Sequence, residues 1–236
     1  MSLNKMSSTS NSFLFPSRIS NPWTGMDRLE SACLGMILLP ISALFPCEED
    51  LFTPREREKI DKMGPRRQKS FMAARVALKR LARQLGLVEE NRPDGTIETL
   101  GPDAIRPCLA DSGVNCSVSH SGPRVVAVAH RHPVGVDIEG VSKKALRALQ
   151  SFWIGGEHGL ISISPLGPER AATRAWTGKE AAAKALGLHL FQALGEIEVL
   201  SLGEFEGRIR YQDKTYPIRH CEGDGQVITL ITCDDL

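Results

Sequence analysis

The sequence has no excess of charge of either sign. Lys and Arg number 29 and Asp and Glu number 28, which gives a formal net charge of +1 over 236 residues. Proteins that hold nucleic acid by releasing its counterions need a strongly basic surface. The charge balance therefore argues against a nucleic-acid partner.

The sequence also lacks a hydrophobic run long enough to span a bilayer. The apolar stretch at residues 32–44 is too short for that and contains Pro40. Charged residues precede it, and it begins too far into the chain for a typical secretory signal. We therefore expect no membrane partner, and we interpret Leu34 to Ile41 as the first buried strand.

Cysteine is present but forms no recognisable pattern. No two cysteines are spaced as C-x-x-C, and none has a metal-ligand spacing with histidine. We interpret them as reduced thiols of a cytoplasmic protein. The six are Cys33, Cys47, Cys108, Cys116, Cys221 and Cys233.

No internal repeat is visible in the letters. Residues 1–25 are rich in Ser, Asn and Pro, a composition that buries too little apolar surface to offset the entropy of ordering, so we expect a flexible tail there. The segment 91–112 is rich in Gly, Pro and Asp and predicts an irregular connection. It divides the chain into an N-terminal half, 26–112, and a C-terminal half, 113–236.

The periodicity of apolar residues predicts an α+β fold. Helices are predicted at 54–63, 70–85, 143–153 and 169–186. Strands are predicted at 34–41, 116–119, 125–129, 134–138, 197–202, 207–211 and 227–232. Each half is then a small antiparallel sheet that carries helices.

Two acidic motifs stand about forty residues apart in the second half. Asp137 and Glu139 alternate in an apolar strand, so their side chains point to the same face. Glu180 and Lys184 are four apart in an alanine-rich helix, so they lie one above the other. Three convergent oxygen donors beside a lysine suit Mg²⁺ bridging phosphate oxygens better than they suit zinc. The pattern predicts phosphoryl chemistry.

Each motif taken alone also has an ordinary structural explanation. Asp137 and Glu139 would then be solvated charges at the end of a strand. Glu180 and Lys184 would be a surface pair worth a few tenths of a kcal/mol. The occurrence of both motifs in one chain favours the metal site.

The same motifs resemble those of the 4′-phosphopantetheinyl transferases of the larger, surfactin-synthetase type. That family carries a V-G-[IV]-D-x-E strand and a W-[ST]-x-K-E-[SA]-x-x-K helix, which residues 134–139 and 176–184 match. Its S-[LVI]-S-H-[ST] block is matched at 117–121, and residues 54–78 resemble its acidic turn and arginine-bearing helix. Glu157 stands where the family often has a glutamate. The resemblance covers roughly residues 30 to 236.

The resemblance implies a fold of two similar halves in a pseudo-twofold arrangement and a monomer with an internal pseudo-dimer. It implies transfer of the phosphopantetheine arm of coenzyme A to a serine of an acyl, peptidyl or aryl carrier protein, with release of 3′,5′-ADP. Mg²⁺, with Mn²⁺ as an alternative, would be held by Asp137, Glu139 and Glu180.

The resemblance also implies roles for individual side chains. Glu180 is the candidate general base, and Lys184 contacts a phosphate or the departing oxygen. The residues expected to bind coenzyme A are Arg75, Ser119, His120, Lys179 and Lys184, with Arg66 or Lys69 as further candidates at its 3′-phosphate.

Two other functions remain open from the sequence. The three carboxylates would also serve a different Mg²⁺-dependent phosphotransferase or a phosphohydrolase that activates water. A catalytically silent homologue would bind coenzyme A or a carrier without turnover, although folding alone does not require the two motifs together.

Overall fold

The computed structural model describes residues 23–44, 49–103, 106–110 and 112–234. Most of the expected tail, residues 1–22, lies outside them. Its last residues are described, and Thr24 exchanges two backbone hydrogen bonds with Glu222. No helix in the described ranges is long and apolar enough to cross a membrane.

The described residues contain eight strands and seven α-helices. The strands are β1 (Gly35–Pro40), β2 (Asn115–Ser121), β3 (Arg124–His130), β4 (Val134–Gly140), β5 (Glu198–Leu202), β6 (Glu206–Tyr211), β7 (Lys214–Gly223) and β8 (Gln226–Thr232). The α-helices are α1 (Met26–Glu30), α2 (Pro54–Asp61), α3 (Pro65–Gln84), α4 (Lys143–Leu149), α5 (Glu157–Ser162), α6 (Pro168–Leu186) and α7 (Leu190–Glu196).

The strands form two antiparallel sheets. The first has the order β1-β3-β2 and the second β4-β8-β7-β6-β5. The predicted α+β class is therefore confirmed. The division into halves at residue 112 stays a prediction; the first sheet takes β1 from before that point and β2 and β3 from after it.

Three apolar cores hold the layers together. One lies between α3 and the first sheet, one between the two sheets, and one between α6 and the second sheet. In β3, Val125, Ala127 and Ala129 face α3, whereas Val126 and Val128 face the second sheet. This alternation is what a strand buried on both sides requires.

Local sequence explains where the long helices begin and end. Pro168 occupies the first turn of α6, where a missing N–H costs nothing, and Gly187 ends the helix in the left-handed conformation with φ of 69°. Thr53 begins α2 with a capping box, in which its side chain accepts from Glu56 N–H and the Glu56 carboxylate accepts from Thr53 N–H.

Several secondary-structure predictions were wrong. The helix predicted at 70–85 begins five residues earlier, at Pro65, and α1 and α7 were not predicted. The helix predicted at 143–153 ends at Leu149, and a separate helix, α5, begins at Glu157; Gly155 between them has a positive φ of 54°. The C-terminal region has four strands rather than three. The missed strand, β7, contains Pro217, which normally disfavours a central strand. Pairing with β8 starts only at Ile218, so Pro217 stands where β7 has one neighbour.

Candidate active site

Strand β4 lies at the junction of the two sheets, beside β2 of the first sheet and beneath α6. Val134, Val136 and Ile138 pack into the core between the sheets. Asp137 and Glu139 alternate with them and so point the other way. The two carboxylates therefore share a face, as the sequence predicts.

Asp137 is the centre of the cluster and is only 1% exposed. Its Oδ1 accepts a hydrogen bond from Ser119 Oγ at 2.6 Å and another from Lys184 Nζ at 2.8 Å. Its Oδ2 is buried and has no hydrogen-bond partner. A buried carboxylate oxygen without a partner is costly, so this atom is available to a ligand.

Glu180 and Lys184 lie on the turn of α6 that faces Asp137. Lys184 Nζ also donates to Val136 O at 2.9 Å, which holds it over β4. Burial raises the pKa of Glu180 to about 8; the charges of Asp137 and Glu139 act in the same direction, and Lys184 opposes them. Three carboxyl groups are thus close enough to repel one another.

A row of serines on β2 lines the cluster from the first sheet. Ser119 Oγ donates to Asp137, and Ser121 Oγ donates to Glu139 Oε2 at 2.9 Å. Ser117 Oγ accepts from Val136 N–H at 3.1 Å. Sequence reasoning did not assign Ser121, yet the alternation of serines at 117, 119 and 121 is the signal that places them on one face.

Glu139 is the third carboxylate and the less deeply buried of the two on β4. Burial raises its pKa; the hydrogen bond from Ser121 lowers it, and the charge of Asp137 raises it further. Its ionised form would gain from a nearby cation.

The donor set suits a hard divalent cation in chemistry, but it is not preformed. Carboxylate oxygens are the ligands that Mg²⁺ prefers, and Asp137 Oδ2 is free to bind one. Among the described residues, however, no three His, Cys, Asp or Glu side chains converge closely enough to hold an ion. The ammonium group of Lys184 occupies the position at Asp137 Oδ1 where a metal ion could otherwise bind. The Glu180 carboxyl already lies within hydrogen-bond reach of Asp137, a contact that also raises the pKa of Glu180.

His120 lies on the opposite face of β2 from the three serines and is exposed. Its pKa is lowered, first by partial desolvation and then by the charge of Lys184, with Asp137 acting in the other direction. The structure therefore brings His120 near the cluster but does not hydrogen-bond it to Asp137, Glu139 or Glu180.

A groove of about 990 Å³ lies between the first part of β2, the start of β4 and the C-terminal end of α6; Lys184 lines it, whereas Asp137, Glu139 and Glu180 do not. Arg75 and Lys184 both line it, together with Arg106 and His189. Arg75 is 5% exposed and donates to Thr99 O at 2.7 Å, and its Nε has no partner. The structure therefore places two of the predicted coenzyme A residues in one cavity.

The first turns of α3 carry Arg66 and Lys69, the further candidates for the 3′-phosphate. Both are exposed, and neither lines the groove.

Lys179 is not at the cluster, although it precedes Glu180 in the chain. It is fully buried, and its ammonium contacts the carboxylate of Glu157 at 2.9 Å. A phosphate contact by Lys179, which the sequence predicts, has no support in this placement.

Residues 133–231 match the family model described as the 4′-phosphopantetheinyl transferase superfamily. The match covers less than half of the chain and shows that this part is similar to that superfamily. The matched region begins just before β4 and ends within β8, so it contains the three carboxylates and Lys184. Ser119, His120 and Arg75 lie ahead of it.

The chain is also similar to curated proteins called enterobactin synthase component D. The similarity is 24% identity over 190 residues for the proteins from Escherichia coli O157:H7 and Shigella flexneri, and 25% for that from Escherichia coli strain K12. Each match covers 80% of this chain and 88% of the relative. The similarity therefore extends well beyond the region matched by the family model, into the first half of the chain.

Proposed function

We propose that this chain transfers the 4′-phosphopantetheine arm of coenzyme A to a serine hydroxyl of an acyl, peptidyl or aryl carrier protein, with release of 3′,5′-ADP. We also propose that it is a transferase of the larger, surfactin-synthetase type and acts as a monomer. The observation that carries the proposal is the buried Asp137, whose Oδ2 lacks a partner, beside Glu139, Glu180 and Lys184.

The repulsion within the cluster supports a cationic ligand. Burial and the repulsion between the carboxylates raise the pKa values of Glu139 and Glu180. The surroundings therefore supply too little positive charge to stabilise the ionised forms. Mg²⁺ held by Asp137, Glu139 and Glu180 would neutralise charge on the pyrophosphate of coenzyme A as a Lewis acid. Mn²⁺ has the same preference for oxygen ligands.

Two side chains have roles that follow from their exposure. Glu180 is only partly buried, so its carboxylate is open to an incoming serine hydroxyl, whereas that of Asp137 is not. Glu180 is therefore our candidate general base. The side chain of Lys184 is 32% exposed, which allows its ammonium to move from Asp137 to a phosphate oxygen or the departing ADP oxygen.

The groove is the proposed site for coenzyme A. Its volume of about 990 Å³ is at the upper end of the range for small-molecule sites. Arg75 and Lys184 line it, and their positive charges suit the phosphates of this ligand. Ser119 and His120 follow the groove-lining residues of β2, although they do not line the groove themselves, and they complete the proposed binding residues.

The test is intact-mass spectrometry of apo carrier proteins incubated with this chain, coenzyme A and Mg²⁺. The expected result is a gain of one phosphopantetheine on the carrier serine. Glu180→Gln should slow transfer by about 100-fold or more, since it removes a general base. Glu169→Gln is the matched control on the same helix, because Glu169 makes only a weak exposed pair with Lys143 at 4.0 Å.

The same experiment separates the other two functions. Consumption of coenzyme A without a carrier would indicate a phosphohydrolase. Binding of coenzyme A by calorimetry, with no mass gain on any carrier, would indicate a silent homologue. Either result would contradict the proposal.

A further inference from the structure

Lys179 is held by three protein oxygens in the second half of the chain. Its Nζ contacts the carboxylate of Glu157 at 2.9 Å and also donates to Phe152 O at 3.4 Å and Leu194 O at 3.2 Å. Glu157 in turn accepts from the backbone N–H groups of Ile154, at 3.1 Å, and Val199, at 2.7 Å. The ammonium has three donors, and all of them are engaged.

Lys79 has the same surroundings in the first half. Its Nζ donates to Glu56 Oε2 at 2.7 Å, to Leu51 O at 2.6 Å and to Asp94 O at 2.8 Å. Glu56 accepts from Thr53 N–H at 3.0 Å and from the hydroxyl of Thr99. Lys79 and Glu56, like Lys179 and Glu157, are fully buried.

The two arrangements correspond member by member. Each residue of the second set lies 100 or 101 positions after its counterpart in the first. The pairs are Leu51 and Phe152, Thr53 and Ile154, Glu56 and Glu157, Lys79 and Lys179, Asp94 and Leu194, and Thr99 and Val199. Only the lysine and the glutamate keep their identity, because the other members contribute mainly backbone atoms. We call each arrangement a lysine clamp.

The residues next to the two clamp lysines differ in chemistry. Lys79 is followed by Arg80, which is exposed, and Lys179 is followed by Glu180, which faces Asp137. Four positions further along stand Gln84 and Lys184. The first half therefore has the clamp without the acidic cluster, so the clamp belongs to the fold of each half rather than to the chemistry.

We propose that Lys179 is a positioning residue, which fixes α6 against the segments at 152–157 and 194–199 and thereby holds Glu180 beside Asp137. The proposal rests on the proposed function for its kinetic consequences. Lys179 and Glu180 are adjacent on one helix, so a shift of the lysine moves the carboxylate with it. A displacement of about 1 Å in a catalytic group is enough to cost about 100-fold in rate.

The test compares two charge-neutral double variants. Lys179→Met with Glu157→Gln removes the second clamp, and Lys79→Met with Glu56→Gln removes the first. Replacing both members of a buried ion pair by neutral side chains of similar shape avoids leaving a single buried charge. The unfolding temperature of each variant is measured first. Its kcat, its KM for coenzyme A and its hydrogen–deuterium exchange are then measured well below that temperature.

The expected result is a loss of kcat of about 100-fold for the second-clamp variant, with KM for coenzyme A within about 2-fold of wild type because no binding contact is removed. The first-clamp variant should keep kcat within about 2-fold while its unfolding temperature changes similarly. A raised KM at unchanged kcat would make Lys179 a substrate ligand and overturn the proposal. Equal losses of kcat in both variants would mean that the clamps contribute only to general stability, and this result would also overturn the proposal.

Hydrogen exchange tests the positioning role of Lys179 independently of the proposed function. If the wild-type chain transfers nothing, the proposed function has failed. The positioning role then depends on exchange in the peptide that contains Glu180. Faster exchange there in the second-clamp variant alone supports the role, and unchanged exchange refutes it.

Discussion

Gly135 stands where β4 comes closest to α6, and its replacement by alanine should damage both stability and the active site. A Cβ atom at this position would lie 1.8 Å from Ala181 O and 3.0 Å from Ala185 N. Ordinary contacts begin near 3.4 Å. Both opposing atoms are backbone, so no side chain can turn aside to make room.

The size of the effect follows from this geometry. The helix and the strand must separate by roughly 1.5 Å to restore a normal contact between Cβ and the carbonyl oxygen. Inserting a methyl group into a packed interior costs about 1–3 kcal/mol, and the backbone contact favours the upper end. For a chain of this size 3 kcal/mol corresponds to a fall of roughly 6–12 °C in unfolding temperature. The same separation pulls Glu180 and Lys184 away from Asp137.

The measurement is thermal unfolding of Gly135→Ala together with its transfer rate. Gly140→Ala is the matched control, because it lies in the same strand and a Cβ there meets nothing within 4 Å. We expect the control to remain close to wild type in both assays. If the two variants unfold at the same temperature, the close approach of β4 and α6 does not limit stability, and the reasoning is wrong.

Two further predictions concern pH and metal. Burial, and to a lesser extent the charge of Arg174, lowers the pKa of His220 from 6.5 to about 3. Between these two pH values the unfolded chain binds one proton that the folded chain does not. The free energy of unfolding therefore decreases as the pH falls, by at most about 1.4 kcal/mol per pH unit. Urea unfolding at pH 7 and pH 5 should show this slope in wild type and a smaller one in His220→Gln; equal slopes would contradict it. Mg²⁺ at 100 times its dissociation constant should stabilise the wild-type chain by about 2.7 kcal/mol. Thermal unfolding of Asp137→Asn should show no such gain, and an equal gain would place the ion elsewhere.

The acidic motifs could be predicted from the sequence because their information is local. Alternation fixes the common face of Asp137 and Glu139, and the helical repeat fixes that of Glu180 and Lys184. The pairing of Ser119 with Asp137 depends on how β2 lies against β4. That relation between two sheets is not written in the spacing of either strand.

Other features could not be predicted because they depend on burial. Lys179 stands beside Glu180 in the chain, but adjacent helix positions point about 100° apart, so one faces the cluster and the other faces Glu157. The repeated clamp could not be recognised in the sequence, because only the lysine and the glutamate are the same residue type in both halves. Strand β7 was not predicted because it contains Pro217, and proline is unusual within a central strand.

The charges of the second half show why the clamp and the acidic cluster are distinct devices. In the clamp, Lys179 and Glu157 are fully buried, of opposite sign and supplied with hydrogen bonds, which is how a folded chain tolerates buried charge. The cluster does the reverse, since three carboxyl groups face one partly exposed lysine and one buried oxygen has no partner. In their ionised forms these carboxyl groups carry more negative charge than Lys184 balances, and folding alone gains nothing from ionising them. An arrangement that costs stability in the free chain is expected where a ligand supplies the missing charge, and Asp137 Oδ2 is the atom at which it would be supplied.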